Sequence, residues 1–212
     1  MDSIEKKVIY FFILMVFACV IFSEENENME TGLDSIFADI LLRSEQFSHN
    51  SIGNILIVKV GEQKMYLIDE NMKIKQIFLV STAKNGIGNL KGSNKTPLGF
   101  HRIVKIAGRG EEKGVFFNND FKVLGFAKIY TDTTDSPDDM LTSRVFVLEG
   151  LEDGVNKGEN IDSFDRKIFV HGTNEEGLLG KPMSKGCIRM NNDDIINLAE
   201  IIAEGTLLYI NE

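Results

Sequence analysis

The sequence has no tryptophan, only three histidines and only two cysteines in 212 residues. Three histidines cannot easily supply a metal site, so neither a metal nor any other cofactor is expected. Cys19 falls inside an N-terminal apolar run, so a chain trimmed of that run holds Cys187 alone and forms no internal disulfide. Cations are scarce as well. Lys plus Arg number 23 against 32 Asp plus Glu, and a net charge of −9 argues against a nucleic-acid partner, which calls for a basic surface. Apolar length is short: the run 8–22 has fifteen residues, whereas a membrane span needs about 20. Residues 84–95 hold three glycines and three asparagines but neither the P-loop pattern nor GxGxxG. The Asp- and Thr-rich stretch 131–139 lacks the closing Glu of a calcium loop. There is no internal repeat.

What is present divides into three parts. Residues 1–23, with Lys6 and Lys7 ahead of the apolar run and Ser23 after it, read as a signal peptide. The alternatives are an uncleaved N-terminal anchor, or lipid processing at Cys19. Each places the following domain outside the cytoplasmic membrane, in the periplasm or cell envelope, with membrane contact only through this segment. Its removal leaves the charge at −9, because two groups of each sign are lost. Residues 24–50 read as a polar linker and an amphipathic helix, with Leu33, Ile36, Phe37, Ile40 and Leu41 at helical spacing. His49 sits in a polar turn and receives no role.

Residues 51–212 form the third part. Short apolar runs bounded by turn residues predict a hairpin over 55–60 and 63–68, then strands over 74–80, 100–106, 144–148, 167–170 and 207–210. His101 lies within an alternating strand and reads as a solvent-facing or a satisfied strand histidine, not a ligand. The stretches 84–95 and 131–139 read as loops at the site. Ile195, Leu198, Ala199 and Ile202 mark one face of a helix, which Gly205 is expected to stop. The expected fold is mainly β, a β-sandwich or a closed sheet, with an amphipathic helix before it and a C-terminal helix after the cysteine.

Chemistry concentrates between His171 and Cys187, sixteen positions apart. A free thiol titrates near pH ~8.5, so at neutral pH it needs a base or a positive neighbour before it can attack a carbonyl. A histidine can take that proton. Gly186 lets the backbone turn ahead of the cysteine, leaving the Gly186 and Cys187 N–H groups to hold an oxyanion. A buried inert thiol is the competing reading, and the polar company of Ser184, Lys185 and Arg189 speaks against it. The following helix, with Lys185 and Arg189, is expected to help depress the thiol pKa.

His171-Gly172-Thr173 and Ser184-Lys185-Gly186-Cys187-Ile188-Arg189-Met190 together resemble the signature of the L,D-transpeptidases of bacterial cell walls. The segments 81–86, 95–100, 142–150 and 162–164 resemble other pieces of that family in the same order. Many members carry His where this chain has Lys185. The resemblance implies a β-sandwich with mixed sheets and a cysteine enzyme acting on peptidoglycan stem peptides. In that chemistry Cys187 attacks a donor tetrapeptide, expels D-alanine, and passes the acyl group from a thioester to an amine of another stem or of a wall-anchored protein. It also implies that the Gly172 carbonyl orients His171, and that carbapenems acylate the thiol. Arg189, Lys185, Ser184 and Thr173 are the candidate substrate-binding residues. Two further readings use the same residues: a hydrolase such as an L,D-carboxypeptidase, and a non-catalytic wall-binding module.

Overall fold

The computed structural model describes residues 40, 42–44, 46–47, 53–71 and 73–212. Contacts divide the chain into two units, Met1–Gln46 and Phe47–Glu212. In the first, positions 40 and 42–44 are helical. The expected signal segment, His49 and most of the expected helix over 33–47 lie outside the described residues.

The second unit is built of strands. β1 (Ile55–Lys59), β2 (Lys64–Ile68) and β3 (Ile74–Ser81) form an antiparallel meander, as the expected hairpin and third strand imply. β10 (Leu207–Asn211) returns parallel to β1 and pairs on its other side with β4 (Gly99–Ala107). β4 pairs with β7 (Leu141–Gly150), β7 with β8 (Phe169–Gly172), and β8 runs parallel to β9 (Ile188–Met190). β9 closes the circuit onto β3. The mainly β expectation holds, and the sheet is mixed and rolled until its ends meet. Closure removes the open edges that a flat sheet would present. β5 (Val115–Phe117) and β6 (Val123–Phe126) extend outward from β7 as a hairpin.

Inside the circuit, alternate residues of each strand meet the C-terminal helix (Asn192–Ile201). Leu56, Val58, Phe78, Phe146, Val170, Ile188 and Met190 pack in one cluster with Ile195, Leu198, Ala199 and Ile202, the predicted helix face. Asn191 caps the helix, accepting from the Asp193 and Asp194 N–H groups at 2.9 and 3.3 Å. The helix ends at Ile201 with Ile202 extended; Gly205, expected as the stop, lies in the turn beyond.

His101 is wholly buried in β4. Its Nδ1 lies 2.9 Å from the Gly99 carbonyl and its Nε2 2.9 Å from Ser163 Oγ, so both ring nitrogens are engaged. Burial pushes its pKa down to about 4, against the opposing Gly99 bond, and nearby Arg166 pushes the same way as burial. The unfolded chain takes up this proton near pH ~6.5 and the folded chain only near 4, so stability falls as pH drops through that window. The expected loss from this residue is about 3 kcal/mol. Urea unfolding of wild type and His101→Gln at both ends of the window checks it. Wild type should lose more stability on acidification than the variant by about that amount, and equal losses would refute it.

Candidate active site

The site is carried by the outer face of β8 and β9. Register pairs His171 with Arg189 and Val170 with Ile188. Val170 and Ile188 point into the core, so His171, Arg189 and, one alternation earlier, Cys187 share the opposite face. His171 and Cys187 are thereby diagonal neighbours across two parallel strands. β9 was not anticipated in the sequence, where the few residues between the Gly186 turn and the helix signal at 191–194 were given no strand.

Each glycine of the motif has a steric reason. A Cβ on Gly172 would lie 2.5 Å from the Thr142 carbonyl and 2.6 Å from Asn192 Oδ1, so β7 and the helix start close onto bare backbone. Asn192 ties these pieces together. Its Oδ1 accepts from Thr142 and Ser143 hydroxyls at 2.7 and 2.6 Å, and its Nδ2 donates to the Thr173 carbonyl at 2.8 Å. The Gly172 carbonyl then accepts from His171 Nδ1 at 2.8 Å, as the resemblance implied. That bond fixes the tautomer and leaves Nε2 as the basic nitrogen. Gly186 has φ +132, a region that disfavours residues with a Cβ.

His171 is buried, and burial holds its pKa below the ordinary histidine value, although Asp139 and the Gly172 bond oppose the shift. It is therefore neutral at pH 7 and able to accept a proton. Cys187 is half-buried. Burial pushes its thiol up to about 12; the Phe169 backbone and the cations Arg189 and Arg166 favour the thiolate but do not offset it, and Asp139 adds to the rise. The expected depression by the following helix is overturned. Residues 188–190 of β9 put the helix start roughly 10 Å on, beyond the reach of its first turn, and Asp193 and Asp194 occupy that end.

Three further expectations need correction. Arg189, read as a free cation for a substrate carboxylate, is 4% exposed and committed to two carboxylates, Glu175 at 2.5 Å and Asp139 at 2.8 Å. Thr173 is wholly buried, with its hydroxyl accepting from the Glu175 N–H at 3.1 Å, so it caps a turn instead of facing a ligand. Ser184 is buried too; its hydroxyl donates to the Cys187 carbonyl at 2.6 Å and accepts from the Gly186 N–H at 3.2 Å. The Gly186 N–H is thus already engaged, which leaves the Cys187 N–H as the remaining one of the two expected oxyanion donors. Lys185 remains exposed.

Sequence reasoning missed Asp139, Glu175 and Arg166. Asp139 ends the loop expected over the site. Burial raises its carboxyl, but His171 and Arg189 outweigh that and hold it below the ordinary range. Glu175 is buried and accepts from the Ser136 N–H at 2.5 Å, and Asn174 Oδ1 accepts from the Met140 N–H at 3.2 Å, so both ends of that loop are pinned beside the site. Arg166 donates to the Asn89 and Lys95 carbonyls at 2.8 and 2.6 Å and holds the 84–95 loop alongside. Among the described residues no cluster of His, Cys, Asp and Glu could hold a metal ion.

Comparison with known proteins sets this geometry in a family. The profile of the YkuD family, the L,D-transpeptidase catalytic domain, matches residues 53–210. YqjB of Bacillus subtilis, which carries an L,D-transpeptidase designation, is 31% identical over 56% of this chain and 76% of its own length. YkuD of the same organism is 55% identical over 42 residues, 20% of this chain and 26% of that protein. Among solved structures, an L,D-transpeptidase from Mycobacterium smegmatis superposes with a TM-score of 0.48 at 12% identity, over 75% of this chain and 58% of that one. L,D-transpeptidase 3 from Mycobacterium tuberculosis, in complex with a faropenem-derived adduct, gives 0.47 at 11% over 76% and 60%. On the profile match and the 76% coverage of YqjB, the chain belongs to the YkuD family of L,D-transpeptidase catalytic domains.

Proposed function

We propose that this protein is a peptidoglycan L,D-transpeptidase in which Cys187 is the nucleophile and His171 the base. The observation that carries the reading is the placement of both side chains on one face of β8 and β9, with His171 Nδ1 fixed on the Gly172 carbonyl. His171 Nε2 takes the thiol proton as Sγ bonds to the donor carbonyl carbon. The carbonyl oxygen gains the electron pair and is held by the Cys187 N–H. Collapse breaks the C–N bond to D-alanine, and the imidazolium returns the proton to the leaving amine. An acceptor amine, from a second stem or a wall-anchored protein, then attacks the thioester while His171 takes its proton, and the thiol is regenerated. Lys185 stands ready to meet a stem carboxylate, and Arg189 holds Asp139 and Glu175 in place around the histidine. This chemistry belongs outside the cytoplasmic membrane, consistent with the reading of residues 1–23.

Incubation with a purified disaccharide-tetrapeptide tests the proposal. Mass analysis should show cross-linked dimer and released D-alanine. Tripeptide alone would assign hydrolysis to the same residues, and unchanged tetrapeptide with a free, reduced thiol would contradict the proposal.

A further inference from the structure

A cavity opens on the outer face of β4, β7 and β8, next to the strand pair that carries the site. Strand register sets residues in a lateral row: Lys105 of β4 stands across from Val147 of β7, and Val147 across from Phe169 of β8. One step back from the Val170–Ile188 pair brings Phe169 beside Cys187. Lys105, Val147 and Phe169 line a cavity of about 520 Å³, together with Phe121, Asp165 and Lys167. Phe121 stands edge-on to Phe169 with ring centres 5.7 Å apart, and Lys105 Nζ lies 4.7 Å from the centre of the Phe121 ring. Cys187 does not line the cavity but adjoins two residues that do: its Sγ donates to the Lys167 carbonyl at 3.5 Å, and it packs, like Phe121, against the cluster that holds Phe169.

Its chemistry is one-sided. The floor is apolar, while two ammonium groups and a single carboxylate stand at the wall. This is a local excess of positive charge in a chain of net charge −9. Three strand spacings of about 4.8 Å put the backbone of Lys105 ~14 Å from that of Cys187. The lysine side chain folds back over Phe121, shortening the reach to what about three extended peptide residues cover.

We propose that this trench receives the part of the acyl donor upstream of its reacting carbonyl, and that Lys105 reads a carboxylate there. The inference rests on the acyl-transfer reading given above. The α-carboxylate left free by a γ-linked glutamate in a stem peptide has the required chemistry, and the glutamate methylene groups between it and the carbonyl lie on Phe169 and Val147. The carboxylate meets an ammonium already set against an aromatic face, which strengthens the contact relative to one between fully solvated ions.

The test separates the two readings. Calorimetry on the Cys187→Ser protein measures binding without turnover, using a disaccharide-tetrapeptide with its glutamate carboxyl free and the same compound with that carboxyl amidated. The free form should bind about 10-fold more tightly, as expected for a charge-assisted hydrogen bond. Adding Lys105→Gln should erase the preference and Lys105→Arg should keep most of it, with thermal midpoints confirming that both variants fold. Equal binding of the two forms, or a preference that survives Lys105→Gln, overturns the proposal. A Lys105-dependent preference in a protein whose wild type releases no D-alanine would uphold the trench and refute acyl transfer. Turnover by wild type without any such preference would do the reverse.

Discussion

Cys187→Ala is expected to fold as wild type does and to lose turnover of a tetrapeptide donor by about 10⁴-fold or more. The fold does not depend on the sulfur. Cys187 is half-buried at the margin of a small cluster, and its loss removes one polarizable atom from a wall that solvent already reaches. A stability change within about 1 kcal/mol is therefore expected. Catalysis has no substitute for it. Cys187 is the only cysteine outside the N-terminal apolar run, and Ser184, the nearest hydroxyl in sequence, is buried and bonded to the backbone on both sides. Without the thiol, no thioester forms, and His171 can only activate water against an uncommitted amide. D-alanine release by the purified variant, measured against wild type with matched thermal midpoints, checks this. Residual turnover within tenfold of wild type would remove Cys187 from the mechanism.

His171→Gln is expected to lower acylation at neutral pH by ~10³-fold, within the span that a positioned general base commands. The reason lies in the resting state of the thiol. With burial pushing its pKa up, the thiol rests protonated at pH 7, so proton removal must accompany attack. His171 is suited to that step because burial keeps it neutral at pH 7 and its Nδ1 bond aims Nε2 outward. Glutamine can still donate to the Gly172 carbonyl, but it has no group basic enough to take the proton. His101 offers no replacement, since both of its nitrogens are engaged within β4. The defect should shrink as pH rises, because hydroxide then supplies the thiolate that the histidine no longer helps to form.

The strands were largely legible because short apolar runs bounded by turn residues mark them. Their faces were less so. Leu56 and Val58, Met65 and Leu67 reach the main core, but Ile55, Ile57, Tyr66 and Ile68 beside them are buried as well, and only Phe78 and Val80 have an exposed residue between them. His101, which its pattern left either solvent-facing or satisfied, proves to be satisfied, and the helix face of Ile195, Leu198, Ala199 and Ile202 held. β9 was not legible: three residues between a glycine turn and a capping Asn carry too short a period to declare a strand. The ion triad of Arg189, Asp139 and Glu175 was not legible either, because a loop carboxylate reveals nothing of where the loop returns. That gap explains why Arg189 looked free. Its partners come from positions 50 residues earlier and 14 residues earlier in the chain, joined only by the fold. The same blindness applied to the thiol pKa. Positive neighbours are visible in sequence, but the desolvation that outweighs them is a property of packing.

The central claim is that Cys187 rests as a neutral thiol and that His171 is its base. The rate of alkylation of Cys187 by a small reagent, followed from about pH 5 to 11 in wild type and His171→Gln, tests it most directly, since this range brackets the ordinary histidine and thiol values. Wild type should rise through a histidine titration below its ordinary value, stay level across neutral pH, and rise again above pH ~10 as the thiolate forms unaided. His171→Gln should lose the level region and climb steadily, about tenfold per pH unit. Superimposable profiles would contradict the account, because they would mean that His171 does not act on the sulfur.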